Sequence, residues 1–295
     1  MAESPTKVPR WRKILVPYLY LLPFMALFLA FRVIPLFYGL ELSLTNARLG
    51  RTSSQFVGLG NFTRLPDDKR FVLSLVNTFT FALEATAPVL GVPLLLAVLL
   101  NRGMALKNLM RSFFFFPYTL SAATLGLIWA WLFDPLVGPL NYYLKLIGIT
   151  PPNWLGNPVS AMPSVVLTTV WWVTGFYLVL FLAALQDVPV HLYEAAAIDG
   201  ASAWQSFWRI TLPLLQRTFL FVLVIHLIGA FQVFAHIHVL TQGGPADATR
   251  PIVQHIYETA FLNRFELGSA AAMSWVLFLI IVAFSVLQFR FLRER

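Results

Sequence analysis

Glu194-Ala195-Ala196-Ala197-Ile198-Asp199-Gly200-Ala201 stands at the centre of a polar segment, 187–213, that ends in Ile210-Thr211-Leu212-Pro213. Apolar runs flank it at 161–186 and 214–240, each meeting the roughly 20 residues a helix needs to cross a bilayer. The segment therefore reads as a connection between two membrane spans, and its local signals are those of structure. Pro189 suits the first turn of a helix, where its missing N–H is not needed. His191 to Ile198 is a helix-favouring, alanine-rich run. Asp199-Gly200 stops it, because glycine takes the left-handed conformation at low steric cost. Ser202 with Gln205 three residues on forms a capping-box pattern that starts a second short helix. Ile210 to Pro213 then turns the chain back toward the bilayer.

Outward from this segment the composition agrees. The chain has 295 residues, 58% hydrophobic and 12% charged, against about 25% charged in an average soluble domain. Six spans are expected, at 14–39, 71–100, 108–133, 161–186, 214–240 and 267–290. Each is helical, because backbone groups inside lipid must be satisfied within their own segment. The expected fold is thus all-α and integral to the membrane, with residues 1–13 and 291–295 as tails and one six-helix domain, 14–290, between them. The first span is too long for a signal-peptide core and is expected to be retained. Pro17, Pro23, Pro35, Pro88, Pro93 and Pro117 lie within these runs as kinks or helix ends.

The net charge of +8 does not point to nucleic acid, because the basic residues sit at the ends of apolar runs. With Arg32 set aside inside the first span, the termini and the connections near 101–111 and 187–217 collect twelve Lys and Arg, and the 41–70, 134–160 and 241–266 connections collect eight. That bias puts both termini and the 187–213 segment in the cytoplasm. The chain has no cysteine, which excludes disulfides and thiolate metal sites. It also lacks a G-x-x-x-x-G-K-[ST] phosphate loop, a serine elbow and an H-E-x-x-H motif, so the common routes to ATP binding and hydrolysis are missing.

The spacing of Glu194-Ala195-Ala196, of Gly200 six residues after Glu194, and of Ile210-Thr211-Leu212-Pro213 ten residues after Gly200 resembles the "EAA" loop of the membrane subunits of binding-protein-dependent ABC importers. Asp199, Ala201 and Phe207 fit the same pattern. Leu240-Thr241-Gln242-Gly243-Gly244-Pro245, Leu21-Leu22-Pro23 and Phe116-Pro117-Tyr118 are similar to stretches of the sugar-importer branch, maltose/glycerol-phosphate type, first permease subunit. The resemblance implies an importer of a sugar or related polyol working by alternating access in the cell inner membrane. It implies a second, different permease, two ATP-binding subunits that hold ATP and Mg, and an external solute-binding protein. The ATPase would dock on Glu194, Ala195, Ala196, Asp199, Gly200, Ala201, Ile210, Leu212 and Pro213. Position relative to the motifs carries the substrate pathway onto Tyr118, Thr169, Phe176, Gly229 and Gln232, each of which helix packing would also explain.

The alternative reading is a secondary, ion-coupled transporter. That class would be expected to show related halves and acids inside the spans, and Glu84 is the one acid placed well inside an expected span. A buried Glu84 paired to a neighbouring helix, or one simply protonated, is expected over a functional carboxylate. Trp171 and Trp172 are read as anchors or packing. His226, His236 and His238 are read as helix-interface hydrogen bonders rather than a metal site, since His236 and His238, two residues apart on a helix, face different ways.

Overall fold

The uninterrupted apolar runs fold into long helices. In the computed structural model the helices Tyr18–Ser43, Lys69–Leu100, Pro158–Gln186 and Leu267–Arg290 are each long and apolar enough to cross a membrane. The structure describes residues 10–101 and 106–293. Residues 1–9 of the expected N-terminal tail, Arg102 of the counted charges, and Glu294 and Arg295 of the expected C-terminal tail lie outside the described residues. No strand is assigned among the described residues, and the chain is an all-helical membrane protein.

Two of the expected spans are not single helices. The run 108–133 is divided into Lys107–Phe115 and Ala122–Leu132, and the pair bends by 100°. Pro117 opens a 3-10 turn, Phe116–Thr119, and Leu120 and Ser121 are extended. Ser121 then caps the second helix by accepting the Thr124 N–H at 3.1 Å. The run 214–240 is likewise interrupted. Its main helix, Gln216–Phe231, stops at Gln232, and the chain resumes helical form only at Ala235–Thr241. Pro88 and Pro93, by contrast, stay inside the continuous Lys69–Leu100 helix. The first helix runs on to Ser43, past the expected end at 39, through a π turn at Leu29–Val33 that contains Arg32.

The described chain comprises two units. In the first, residues 1–63 and 259–275, Asn61 donates to the carbonyls of Ser43 (2.7 Å) and Thr45 (2.8 Å), and Arg48 pairs with Glu266 at 2.8 Å. The second, residues 64–258 and 276–295, holds the main core. There the Lys69–Leu100 and Pro158–Gln186 helices bury Ala85, Val89, Ala97, Leu178 and Phe181 with Val222 of the Gln216–Phe231 helix. Gly175 permits a close approach, since a Cβ there would strike the Phe114 carbonyl. The 134–160 connection is ordered by side chains: Trp154 stacks on Phe133 at 5.0 Å and donates to Asn141 at 2.7 Å, while Asn141 donates to the Asp134 carbonyl at 2.8 Å.

Candidate functional site: the 187–213 segment and the interrupted spans

Alanine-rich sequence with a proline before it gives a short helix, Val190–Ile198, whose N-cap is Pro189. Pro189 thus stands one position earlier than the expected first turn. At the other end Gly200 has φ +76°. The Ala201 N–H donates to the Ala196 carbonyl (2.9 Å) and the Gly200 N–H to the Ala197 carbonyl (3.1 Å), the paired bonds of a Schellman stop. Ala196, Gly200 and Ala201 therefore act together in ending this helix. The next helix begins with the expected capping box: Ser202 accepts the Gln205 N–H and Gln205 accepts the Ser202 N–H. It continues through a π turn, Phe207–Thr211, to Leu214. The bend toward the following helix, 66°, falls between Leu214 and Gln216, just beyond Pro213.

No residue of Val190–Ile198 is buried. Glu194, Ala195, Asp199, Gly200 and Pro213 are exposed, whereas Ala196, Ala201, Ile210 and Leu212 are half-buried. A nine-residue helix is marginal by itself in water, so this one is held from its ends. Tyr193, which drew no attention in the sequence, supplies part of that hold: its hydroxyl lies 2.9 Å from that of buried Thr211.

Three of the five pathway candidates are linked through two further residues, Trp172 and His236. Tyr118 stacks on Phe176 with ring centroids 4.8 Å apart and planes 16° from parallel. Trp172 lies 6.5 Å from Tyr118 and 5.5 Å from His236. The Thr169 hydroxyl is 3.0 Å from His236 Nε2. Trp172 and His236 were expected to pack or bridge helices; they do so, and they also connect Tyr118 to Thr169. Gly229 and Gln232 are exposed at the end of the Gln216–Phe231 helix, beside the interruption rather than within the ring cluster. Sequence distance hid the cluster, since Thr169 and His236 are 67 residues apart.

Glu84, His226 and His238 depart from expectation. Glu84 is exposed on the Lys69–Leu100 helix rather than buried. His226 is buried, but among the described residues neither its Nε2 nor the Nδ1 of His238 has a hydrogen-bond partner, so the expected hydrogen bonding holds for His236 and not for those two atoms. Among the described residues no three His, Cys, Asp or Glu cluster as metal ligands. Trp171 packs edge-on against Trp129 at 5.7 Å.

A further polar site fixes the turn after the interrupted span. Arg250 pairs with Asp247 at 2.8 Å and with Glu258. Asn77 donates to the Asp247 (2.7 Å) and Arg250 (3.1 Å) carbonyls, and Thr78 accepts the Ile252 N–H at 2.9 Å.

Comparison with known proteins places this architecture. Residues 89–294 match the family described as "Binding-protein-dependent transport system inner membrane component". The sn-glycerol-3-phosphate transport system permease protein UgpA of Agrobacterium fabrum is 37% identical over 283 residues, 95% of this chain and 96% of that one. The protein of the same name from Rhizobium meliloti is 35% identical, again over 95% of this chain and 96% of that one. A chain of the bacterial alginate ABC transporter, crystallised with alginate pentasaccharide-bound periplasmic protein, has the same fold at TM-score 0.83 and 24% identity, with 95% of both chains covered. A second structure of a bacterial ABC transporter for the acidic polysaccharide alginate gives TM-score 0.80 at 25% identity, covering 95% of this chain and 98% of that one. The chain belongs to the family of inner-membrane components of binding-protein-dependent transport systems, and it is a multi-pass ABC importer permease subunit rather than a secondary transporter.

Proposed function

We propose that Glu194 to Pro213 is a cytoplasmic lever through which a partner ATPase drives this half of the pore, and that the cargo is a sugar or related polyol. The observation that carries the reading is the Val190–Ile198 helix, which buries none of its residues yet is closed by a Schellman stop and followed by a capping box. An ordered but unburied helix is a ready surface for a partner: Ala195 and Ala196 permit close approach, and exposed Glu194 offers a carboxylate. Motion there passes to the Gln216–Phe231 helix through the 66° bend.

In this scheme both termini are cytoplasmic, and ATP and Mg are held by two partner ATPases. A second, different permease supplies the other half of the pore. An external solute-binding protein delivers the cargo, in line with the periplasmic protein crystallised with the alginate transporter. ATP binding closes the ATPases, the two levers move together, the pore opens outward, and hydrolysis resets it. Tyr118, Thr169, Phe176, Gly229 and Gln232 line the route. Interrupted helices are tolerated at membrane depth where they line a cavity or are buried in protein, which favours the breaks near Leu120 and Gln232 as pathway elements.

The test is a mild-detergent pull-down of the tagged chain from its native membrane with mass spectrometry. Recovery of an ATPase and a second permease is the expected result. Recovery of this chain alone, under conditions that preserve known complexes, would sink the proposal.

A further inference from the structure

From Ser112 to Phe133, from Pro158 to Gln186 and from Thr218 to Thr241 the chain carries no Asp, Glu, Lys or Arg. They are the third span beyond Arg111, the fourth span, and the fifth span beyond Arg217, and they hold every pathway residue named above. They are nonetheless polar in a neutral way. Tyr118 and Phe176 stack as a near-parallel aromatic pair, Trp172 stands between Tyr118 and His236, and His236 meets the Thr169 hydroxyl rather than a carboxylate. The Trp172 Nε1–H, although shielded from solvent, has no acceptor among the described residues.

We infer that the solute crossing this half of the pore is uncharged, a sugar or polyol without a phosphate or carboxylate. The inference rests on the importer reading above and narrows its substrate class. Flat rings bury the C–H face of a sugar. Hydroxyl, amide and indole groups exchange hydrogen bonds with sugar hydroxyls. An anion withdrawn from water needs a charge-assisted donor to replace its hydration, and the stretches that hold the pathway residues contribute no lysine or arginine to serve as one. The chain thereby parts from the relatives named for sn-glycerol-3-phosphate and for the acidic polysaccharide alginate.

Cells carrying the intact importer and cells lacking only this chain are given one mixture of glycerol, glucose, maltose, trehalose, sn-glycerol-3-phosphate, glucose-6-phosphate and galacturonate, with a plant-polysaccharide hydrolysate. Depletion of the medium is followed by mass spectrometry, with and without collapse of cellular ATP. The expected result is a neutral solute lost at least tenfold faster when the chain is present, with no such difference for any anion. Chain-dependent loss of a phosphate ester or uronate, or of no neutral solute, overturns the inference. Anion uptake that needs ATP would do so while leaving the importer reading intact. Neutral uptake indifferent to ATP would do the reverse.

Discussion

The hydroxyl of Tyr193 lies 2.9 Å from the hydroxyl of Thr211, bridging a sequence separation of 18 across the Gly200 bend. Thr211 is buried, so the bond ties the exposed Val190–Ile198 helix to the foot of the next span. Tyr193→Phe removes it and leaves the ring. A hydrogen bond of this kind contributes about 1 kcal/mol, which corresponds to roughly fivefold in an equilibrium. The expected outcome is a fall in solute moved per ATP hydrolysed, with the complex still assembled. The two rates measured on reconstituted importer check it, and unchanged stoichiometry would show the bond to be dispensable for coupling.

Gly200 separates backbone strain from crowding. Its φ of +76° is left-handed, yet a Cβ added there meets nothing within 4 Å. Gly200→Val therefore pays only in backbone conformation, about 1–2 kcal/mol. Gly200→Asn pays less, because asparagine tolerates this region. Valine should abolish uptake with membrane insertion intact, and asparagine should keep a substantial part of it. Equal uptake by wild type and both variants would remove any need for the bend.

Arg250 is 13% exposed and sits between Asp247 and Glu258, the latter 11% exposed. Arg250→Met takes the charge partner from the Glu258 carboxylate, which keeps only the Gln254 amide donor at 2.9 Å among the described contacts, and breaking a buried pair in this way costs about 3–5 kcal/mol. Thermal unfolding in detergent should shift down by several degrees. Adding Glu258→Gln should recover part of the loss, since the stranded charge is then gone. No recovery would mean that Arg250 acts mainly through packing.

Asp134 lies just past the third span, where the N–H groups of Val137 and Leu136 donate to its carboxylate and hold its pKa below the usual 3.8. The folded value is depressed, so this turn is supported above the unfolded pKa and loses that support as pH falls through the lower folded value. Amide exchange over 134–138, corrected for intrinsic rate, should stay protected at pH 5 and lose protection only as pH falls well below 3.8. Asp134→Ala should show the unprotected rate at both. Exchange unaffected by Asp134→Ala would assign the protection elsewhere.

What was legible in the sequence was local. The Gly200 stop and the Ser202/Gln205 box depend on residues within five positions of one another, and both stand where their patterns put them. The interruptions at Leu120–Ser121 and Gln232–Phe234 left no comparable mark, because apolar composition runs through them and a hydropathy window cannot register a change of backbone direction. Pro117 was visible, but a proline in a span serves equally as a tolerated kink, as Pro88 and Pro93 do. Tyr118 and Phe176 could each be named from position in a motif. Their stacking, and the link through Trp172 and His236 to Thr169, joins three separate spans and had to await the fold.

Gln232 and Thr169 are both proposed to line the route, but one is exposed and the other buried. Gln232 is exposed at the end of its helix, where its N–H bonds the Gly229 carbonyl at 3.2 Å. Thr169 is buried and bonded to His236. Gln232→Ala removes an amide without opening a cavity in the chain, so it should change solute affinity or selectivity by about tenfold, the scale of one to two hydrogen bonds, and leave ATPase attachment unchanged. Thr169→Val keeps the shape but leaves the His236 nitrogen unpaired, which costs about 1–3 kcal/mol and should lower thermal stability as well as uptake. Competition by a series of neutral sugars against the transported solute, alongside pull-down of the ATPase, distinguishes the two. If Gln232→Ala disrupts assembly while selectivity stays fixed, that side chain belongs to an interface between subunits rather than to the route of the solute.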